Sequence, residues 1–133
     1  MALQLSVAVQ NARLNAIETT IAATAKLLIY SGSAPANCAA AATGTLLATL
    51  TLPSDYFSAA SGGDMAKTGT WSGTASAGSG ATPSHFRLAA NDGTTIGLQG
   101  TAGIGSGDLS FDGTITSGQT ITISTFTLTD AND

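Results

Sequence analysis

Charged side chains are scarce in this chain. They make up 9% of its 133 residues, against about 25% in an average soluble domain. Its four bases, Arg13, Lys26, Lys67 and Arg87, stand apart from one another. A nucleic-acid binder needs clustered cations to displace counterions from phosphates, so that class is excluded. Cys38 is the one cysteine and His85 the one histidine. No internal disulfide can form, and the pair falls short of the ligand set of a zinc site. Aromatic residues are few, at 5%. No apolar run approaches the ~18 residues of a membrane-spanning helix. The N-terminus, MALQLSVAVQNAR, lacks a basic stretch and its apolar run is short, so it does not read as a signal peptide.

What is present is alanine, threonine, glycine and serine. With 43% hydrophobic residues and little charge, the chain has the opposite balance from a disordered one. Its length suits one domain, which buries roughly 68–70% of its unfolded surface and can hold a core without metals or disulfides. A surface of Thr, Ser and Gly gives weak electrostatic protection against association. That favours a chain that works within an assembly.

The pattern divides the chain into a helical segment, 1–26, and a strand-rich domain, 27–133. The spacing predicts a helix from Ser6 to Thr24, with Ser6 as N-cap and Val7, Leu14, Ile17 and Ile21 on one face. Arg13, Asn15 and Glu18 fall mostly on the other side. Strands follow. LLIY at 27–30 is a short apolar run. In TLLATLTL, Leu46, Ala48, Leu50 and Leu52 alternate with Leu47, Thr49 and Thr51, which predicts a half-buried strand ended by Pro53. A strand around Trp71 comes next. HFRLAA puts Phe86 and Leu88 inward and His85 and Arg87 outward. Asn91-Asp92-Gly93 marks a hairpin with a primed turn, answered by TTIGLQGT with Ile96 and Leu98 inward. LSFDG keeps Leu109 and Phe111 in phase. In TITISTFTLT, Ile121 and Ile123 have one parity and Phe126 and Leu128 the other. A bulge near Ser124–Thr125, or passage between two buried surfaces, would reconcile them. About seven strands joined by turns argue for antiparallel pairing. The expected fold is mainly β: an antiparallel β-sandwich of jelly-roll or Greek-key type with one N-terminal α-helix.

Convergent acids, bases and nucleophiles are missing. His85, read as outward beside Arg87, is a solvated surface residue and not a base. No Gly-X-Ser-X-Gly elbow surrounds a serine. Asp92, Asp108 and Asp112 adjoin glycines in turns, where aspartate caps backbone. GTAGIGSG has neither the G-x-G-x-x-G spacing nor a following helix, and GGDMAKT lacks the glycine before Lys67 that a phosphate loop needs. No catalytic residue, metal or cofactor is expected.

The order VAVQNARLNAIETTI, then LLIYSGSAPANCAAAATGTLLATLTLPSDYF, then GTWSGTASAGSGATPSHFRLAANDGTT and a Thr-rich closing strand resembles small virion proteins of tailed bacteriophages. The resemblance is to the head cement, or decoration, proteins of short-tailed phages, and it covers nearly the whole chain. It implies a jelly-roll-like protein that binds the major capsid protein on the outer face of the shell and strengthens it. It also implies a homo-oligomer, dimer or trimer, made in the host cytoplasm. It offers no active-site motif and no cofactor. The candidate partner contacts are Arg13 and Glu18 on the helix and Asp55, Asp64 and Lys67 in the 53–67 connection, where a loop longer than a hairpin needs tends to carry binding. Tyr56 and Phe57 are expected to tuck that loop down, and Trp71 to fill the core. The alternative is a tail or fibre component that contacts host glycan or protein.

Overall fold

Ser6 starts the helix as its position predicts. In the computed structural model, which describes residues 3–131, the Ser6 hydroxyl accepts from the Val9 amide at 3.3 Å, filling one orphan donor of the first turn. The helix, α1, runs Val7–Ile21 and stops three residues short of Thr24. Ala22 and Thr24 both take positive φ, 71° and 53°, which diverts the backbone out of the helical path. Asn91 holds that turn, its amide donating to the Thr24 carbonyl and hydroxyl. The buried helix residues are Gln10, Leu14 and Ile21. Val7, expected on the inward face, is 52% exposed.

Nine strands follow among the described residues, against the about seven expected. They are β1 Lys26–Ser31, β2 Thr45–Thr51, β3 Asp64–Ala66, β4 Trp71–Thr74, β5 His85–Ala89, β6 Ile96–Ile104, β7 Leu109–Phe111, β8 Thr120–Ile123 and β9 Thr127–Thr129. Five form one sheet in the order β2-β1-β5-β6-β7, while β3-β9 and β4-β8 form two-stranded sheets. All pairs are antiparallel except β6–β7, which is parallel. The five-stranded sheet is therefore mixed, contrary to the all-antiparallel expectation.

In β2 the expected parity breaks. Ile29 pairs with Ala48 but Tyr30 with Leu46, so Leu47 is the extra residue of a bulge. Leu47 turns wholly into the core and Leu46 turns out, the reverse of strict alternation. The β5–β6 hairpin forms where Asn91-Asp92-Gly93 predicts it. Its turn is longer than a primed two-residue turn: Gly93 N–H donates to Ala90 O, and Ala90 N–H to Thr95 O. Asp92 caps this loop, accepting from the Thr95 hydroxyl and the Thr95 and Thr94 amides. Those bonds hold its carboxyl down at about 2. A register shift between Leu88 and Ala89 sends Ile96 and Leu98 to different clusters. Leu98 packs against the main core and Ile96 against Leu28, Tyr30 and Ala89.

The closing strand divides where its parity breaks. Ile121 and Ile123 lie in β8 against β4, and Leu128 lies in β9 against β3, with residues 124–126 between. One core cluster joins every layer. Leu14 and Ile21 of α1, Leu27 and Ile29 of β1, Met65 of β3, Trp71 of β4 and Ile121 of β8 all belong to it. The helical segment thus shares its core with the strands.

The glycine run after β6 earns its composition from the parallel pairing. Ala102 pairs with Leu109 and Ile104 with Phe111, so the chain returns parallel after only four intervening residues. Parallel neighbours ordinarily need a crossover of a dozen or more. Here Gly105 and Gly107 take φ of 66° and 84°. A Cβ on Gly107 would stand 3.0 Å from the Ala102 carbonyl carbon. Asp108 closes the coil, accepting from the Thr101 amide and hydroxyl at 2.9 Å each. Gly107→Ala is expected to cost roughly 1–3 kcal/mol, the range for backbone strain of this kind. Gly113→Ala, where φ is ordinary and nothing lies within 4 Å, is expected to change stability by less than about 1 kcal/mol. Paired denaturant titrations check both.

Candidate functional site

The five candidate contacts do not converge on one site. Each is tied, in whole or part, to its own domain. Arg13 Nε lies 3.1 Å from Asp130 Oδ2 and its side chain stays 60% exposed. Glu18 Oε1 accepts from the Tyr56 amide at 2.8 Å and the Phe57 amide at 3.3 Å. Lys67, expected outside, is half-buried. Its Nζ donates to Gly69 O at 2.8 Å and sits 5.7 Å from the Trp71 ring centroid, a cation–π distance. Asp64 lies on β3 and accepts from the Thr129 hydroxyl. Asp55 is exposed, with its backbone carbonyl held by the Thr68 hydroxyl.

The helix is what organises the 53–67 connection. Asn11 Oδ1 accepts from the Gly63 amide, Asn15 Oδ1 from the Ala60 amide and Glu18 Oε1 from the Tyr56 and Phe57 amides. The Tyr56 hydroxyl donates to Ala22 O at 3.0 Å. Residues 11, 15, 18 and 22 follow helical spacing, so one polar stripe supplies acceptors to a loop that has few of its own. Burial, and then the Glu18 charge, push the Tyr56 hydroxyl up to about 12. Tyr56 and Phe57 are fully buried, as expected, and pack with Trp71 and Phe126 in an aromatic group. Asn15 and Glu18, expected mostly on the side away from the apolar face, meet the loop. The recurrence of Asn11, Asn15 and Glu18 at i, i+4 and i+7 is the signal that marks this stripe.

A second polar group lies where a solvated face was expected. His85 and Arg87 are 1% and 2% exposed. The strand alternates correctly, but the sheet has two covered faces. Phe86 and Leu88 face the main core, and the 32–44 connection folds over the other side as a strap. Arg87 Nη2 donates to the carbonyls of Cys38 and Ala40, at 2.8 and 2.9 Å, and reaches that of Asn37. The amide of Gln99 donates to Pro35 O. The His85 ring stacks on Tyr30 with centroids 5.0 Å apart. Alternation cannot distinguish water from a strap, because both permit polar side chains.

His85 is held in one state. The Ser84 hydroxyl donates to Gly32 O, so it accepts from His85 Nδ1 at 3.0 Å and leaves Nε2 with its lone pair. Burial lowers the His85 pKa, and the Arg87 charge lowers it further, against the opposing carbonyls of Gly32 and Thr43. A lowered histidine pKa means that the unfolded chain binds the proton more tightly. Stability is therefore complete above about pH 6.5 and falls as pH drops through that value toward the folded pKa. The slope cannot exceed about 1.4 kcal/mol per pH unit for one proton. Melting curves between pH 7.5 and 5 (~2.5 units, clear of most carboxylate titration) check this. His85→Gln is expected to flatten the slope, and an unchanged slope would refute the assignment.

Two clefts adjoin the β6 strand on opposite faces of the sheet. On the core side, Phe86, Leu98, Gln99, Gly100, Asp108 and the run 126–129 line a space of about 440 Å³. On the strap side, Ala34, His85, Gln99, Gly100, Thr101 and Asp108 line about 170 Å³. Among the described residues, three buried side-chain atoms lack a hydrogen-bond partner: His85 Nε2, Arg87 Nε and Gln99 Oε1. All three lie under the strap. Among the described residues, no group of three or more His, Cys, Asp or Glu could hold a metal, and no helix is long and apolar enough to cross a membrane.

No family model, no curated protein and no solved structure matches the chain.

Proposed function

We propose that this chain is a non-enzymatic structural protein of a tailed-phage virion. In this reading it binds the major capsid protein on the outer face of the shell, stabilises the shell, and acts as a homo-oligomer. The observation that carries the reading is the surface. Beyond its few charges it exposes Thr, Ser and Ala, and it leaves Leu3, ahead of α1, and Val7 and Val9, in its first turn, 87%, 52% and 45% exposed. Apolar side chains grouped at the start of one element mark a contact more often than scattered ones do. Affinity per copy can be modest, because an oligomer that bridges several capsid subunits gains from effective concentration.

The same reading takes the fold as a β-sandwich of jelly-roll or Greek-key type. It is supported by the single core shared between the five-stranded sheet and the β3–β9 and β4–β8 pairs. One packed core of this kind suits a part that reinforces a shell.

Sedimentation of the purified protein with expanded shells of the cognate phage tests the function. Saturable binding that raises the temperature of shell disruption is expected, and Val7→Ser with Val9→Ser should weaken it. A protein that ignores shells but binds host cells or glycans would overturn the reading in favour of a tail or fibre component.

A further inference from the structure

The free side of β6 has the features of a strand acceptor. Along Leu98, Gln99 and Gly100, β6 pairs with β5 on one side; β7 covers its other side only from Ala102 to Ile104. Among the described residues, β9 pairs only with β3. The cleft of about 440 Å³ is lined by residues 98–100 of β6 and, across from them, by Phe126 and residues 127–129 of β9. An unpaired edge is ordinarily blunted by lysine, proline or a covering loop. Neither stretch carries a lysine, an arginine or a proline. Three or four extended residues, roughly 10–13 Å at about 3.3 Å each, match the length of the open edge.

The side chains of an added strand would alternate between the two faces of the sheet, and the two clefts ask for different chemistry. Toward the core, Phe86, Leu98, Phe126 and Leu128 offer an apolar floor. Toward the strap, the cleft holds acceptors. His85 Nε2 carries a lone pair, and Gln99 Oε1 is buried without a donor, its amide nitrogen being turned to Pro35 O. The Asp108 carboxylate lines the same cleft. No cationic side chain lines either cleft.

We infer that the β6 edge at 98–100 binds an extended segment of a partner protein in which apolar side chains alternate with basic ones. Its backbone extends the sheet between β6 and β9. Its apolar side chains fill the core-side cleft, and its basic ones donate to the acceptors beneath the strap and pair with Asp108. Main-chain bonds supply affinity and the alternating pockets supply specificity, as in other strand-addition sites. A second copy does not fit, because the stretch of this chain that alternates basic and apolar residues, His85–Leu88, is the buried strand β5, paired on both sides. The inference does not depend on the capsid reading and survives its failure.

A nitrogen-15 NMR titration of the full chain tests it, using a blocked hexapeptide of alternating valine and lysine. Valine alternating with glutamate, at the same length, is the control. The lysine peptide is expected to shift the amide signals of Leu98, Gln99, Gly100 and Thr127–Thr129 and to slow their hydrogen exchange. Asp108→Asn should weaken it about two- to fivefold, the range an exposed charge pair commands. If Asp108→Asn melts early because Thr101 is released, the wild-type chain carries the same test: affinity must fall as salt rises. Silence of residues 98–100 at saturating peptide would overturn the inference. So would equal binding of the glutamate peptide, or a free protein that is already a dimer with those amides protected.

Discussion

Removal of residues 1–24 is expected to unfold the chain, not to release an intact strand domain. Leu14 and Ile21 are 4% and 5% exposed and belong to the main core. Burying each is worth about 1.5–3 kcal/mol. Glu18 accepts two amides, and bonds to a charged acceptor contribute about 1.5–3 kcal/mol each. Asn11 and Asn15 add two more loop bonds. The sum rivals the ~5–15 kcal/mol net stability of a whole domain. The loss would also strip the 56–63 backbone of its acceptors and leave Tyr56, Phe57 and Met65 facing water. Circular dichroism and proton NMR of residues 25–133 read the result. A truncated chain that melts cooperatively with dispersed amide signals would show that α1 is dispensable and restore it as a free contact arm. Short of truncation, Glu18→Ala should destabilise more than Glu18→Gln, which keeps an oxygen for the Tyr56 amide.

Trp71→Ala is the point substitution expected to cost most, about 3–5 kcal/mol, as large aromatic truncations in a packed core do. The ring is 1% exposed. It meets Tyr56, Phe57 and Phe126 with centroids 6.5, 5.6 and 5.8 Å away. Its Nε1–H donates to Thr68 O at 3.1 Å, and Lys67 lies over it. Trp71 therefore joins three parts of the chain: the 53–67 connection, the start of β4 and the 124–126 crossing. Trp71→Phe should recover much of the loss, because it refills most of the cavity and gives up only the indole bond. Denaturant midpoints for the three proteins measure this, and a loss under about 1 kcal/mol for Trp71→Ala would contradict the packing.

The stretch LPSDYFSAASGGDMAKTGTW shows how far residue chemistry alone carries. Its aromatic residues predict an ordered loop pinned to the core, and they are so placed. Its charged residues read as outward contacts, yet Lys67 and Asp64 bond to their own domain. A charge on a short loop looks the same whether it meets solvent, a partner or a carbonyl two residues away. The helix was legible through its cap and its apolar spacing. Its second, polar stripe has the same period, but polar residues on a helix are ordinarily solvated, so spacing alone does not show that a loop covers it.

Local chemistry determined the elements that depend on near neighbours. Ser6 begins α1, Asn91-Asp92-Gly93 turns the hairpin, and the parity break after Ile123 marks where the last strand divides. Each follows from backbone geometry or hydrogen bonding within a few residues. The tertiary structure alone decided which faces are covered. His85 and Arg87 went under a strap that starts more than forty residues earlier in the chain, and Leu47 turned inward at a bulge set by its pairing with β1. It also decided the parallel β6–β7 return and the unpaired edge of β6. Burial and pairing depend on what arrives from elsewhere in the chain, and period-two alternation records only that two faces differ.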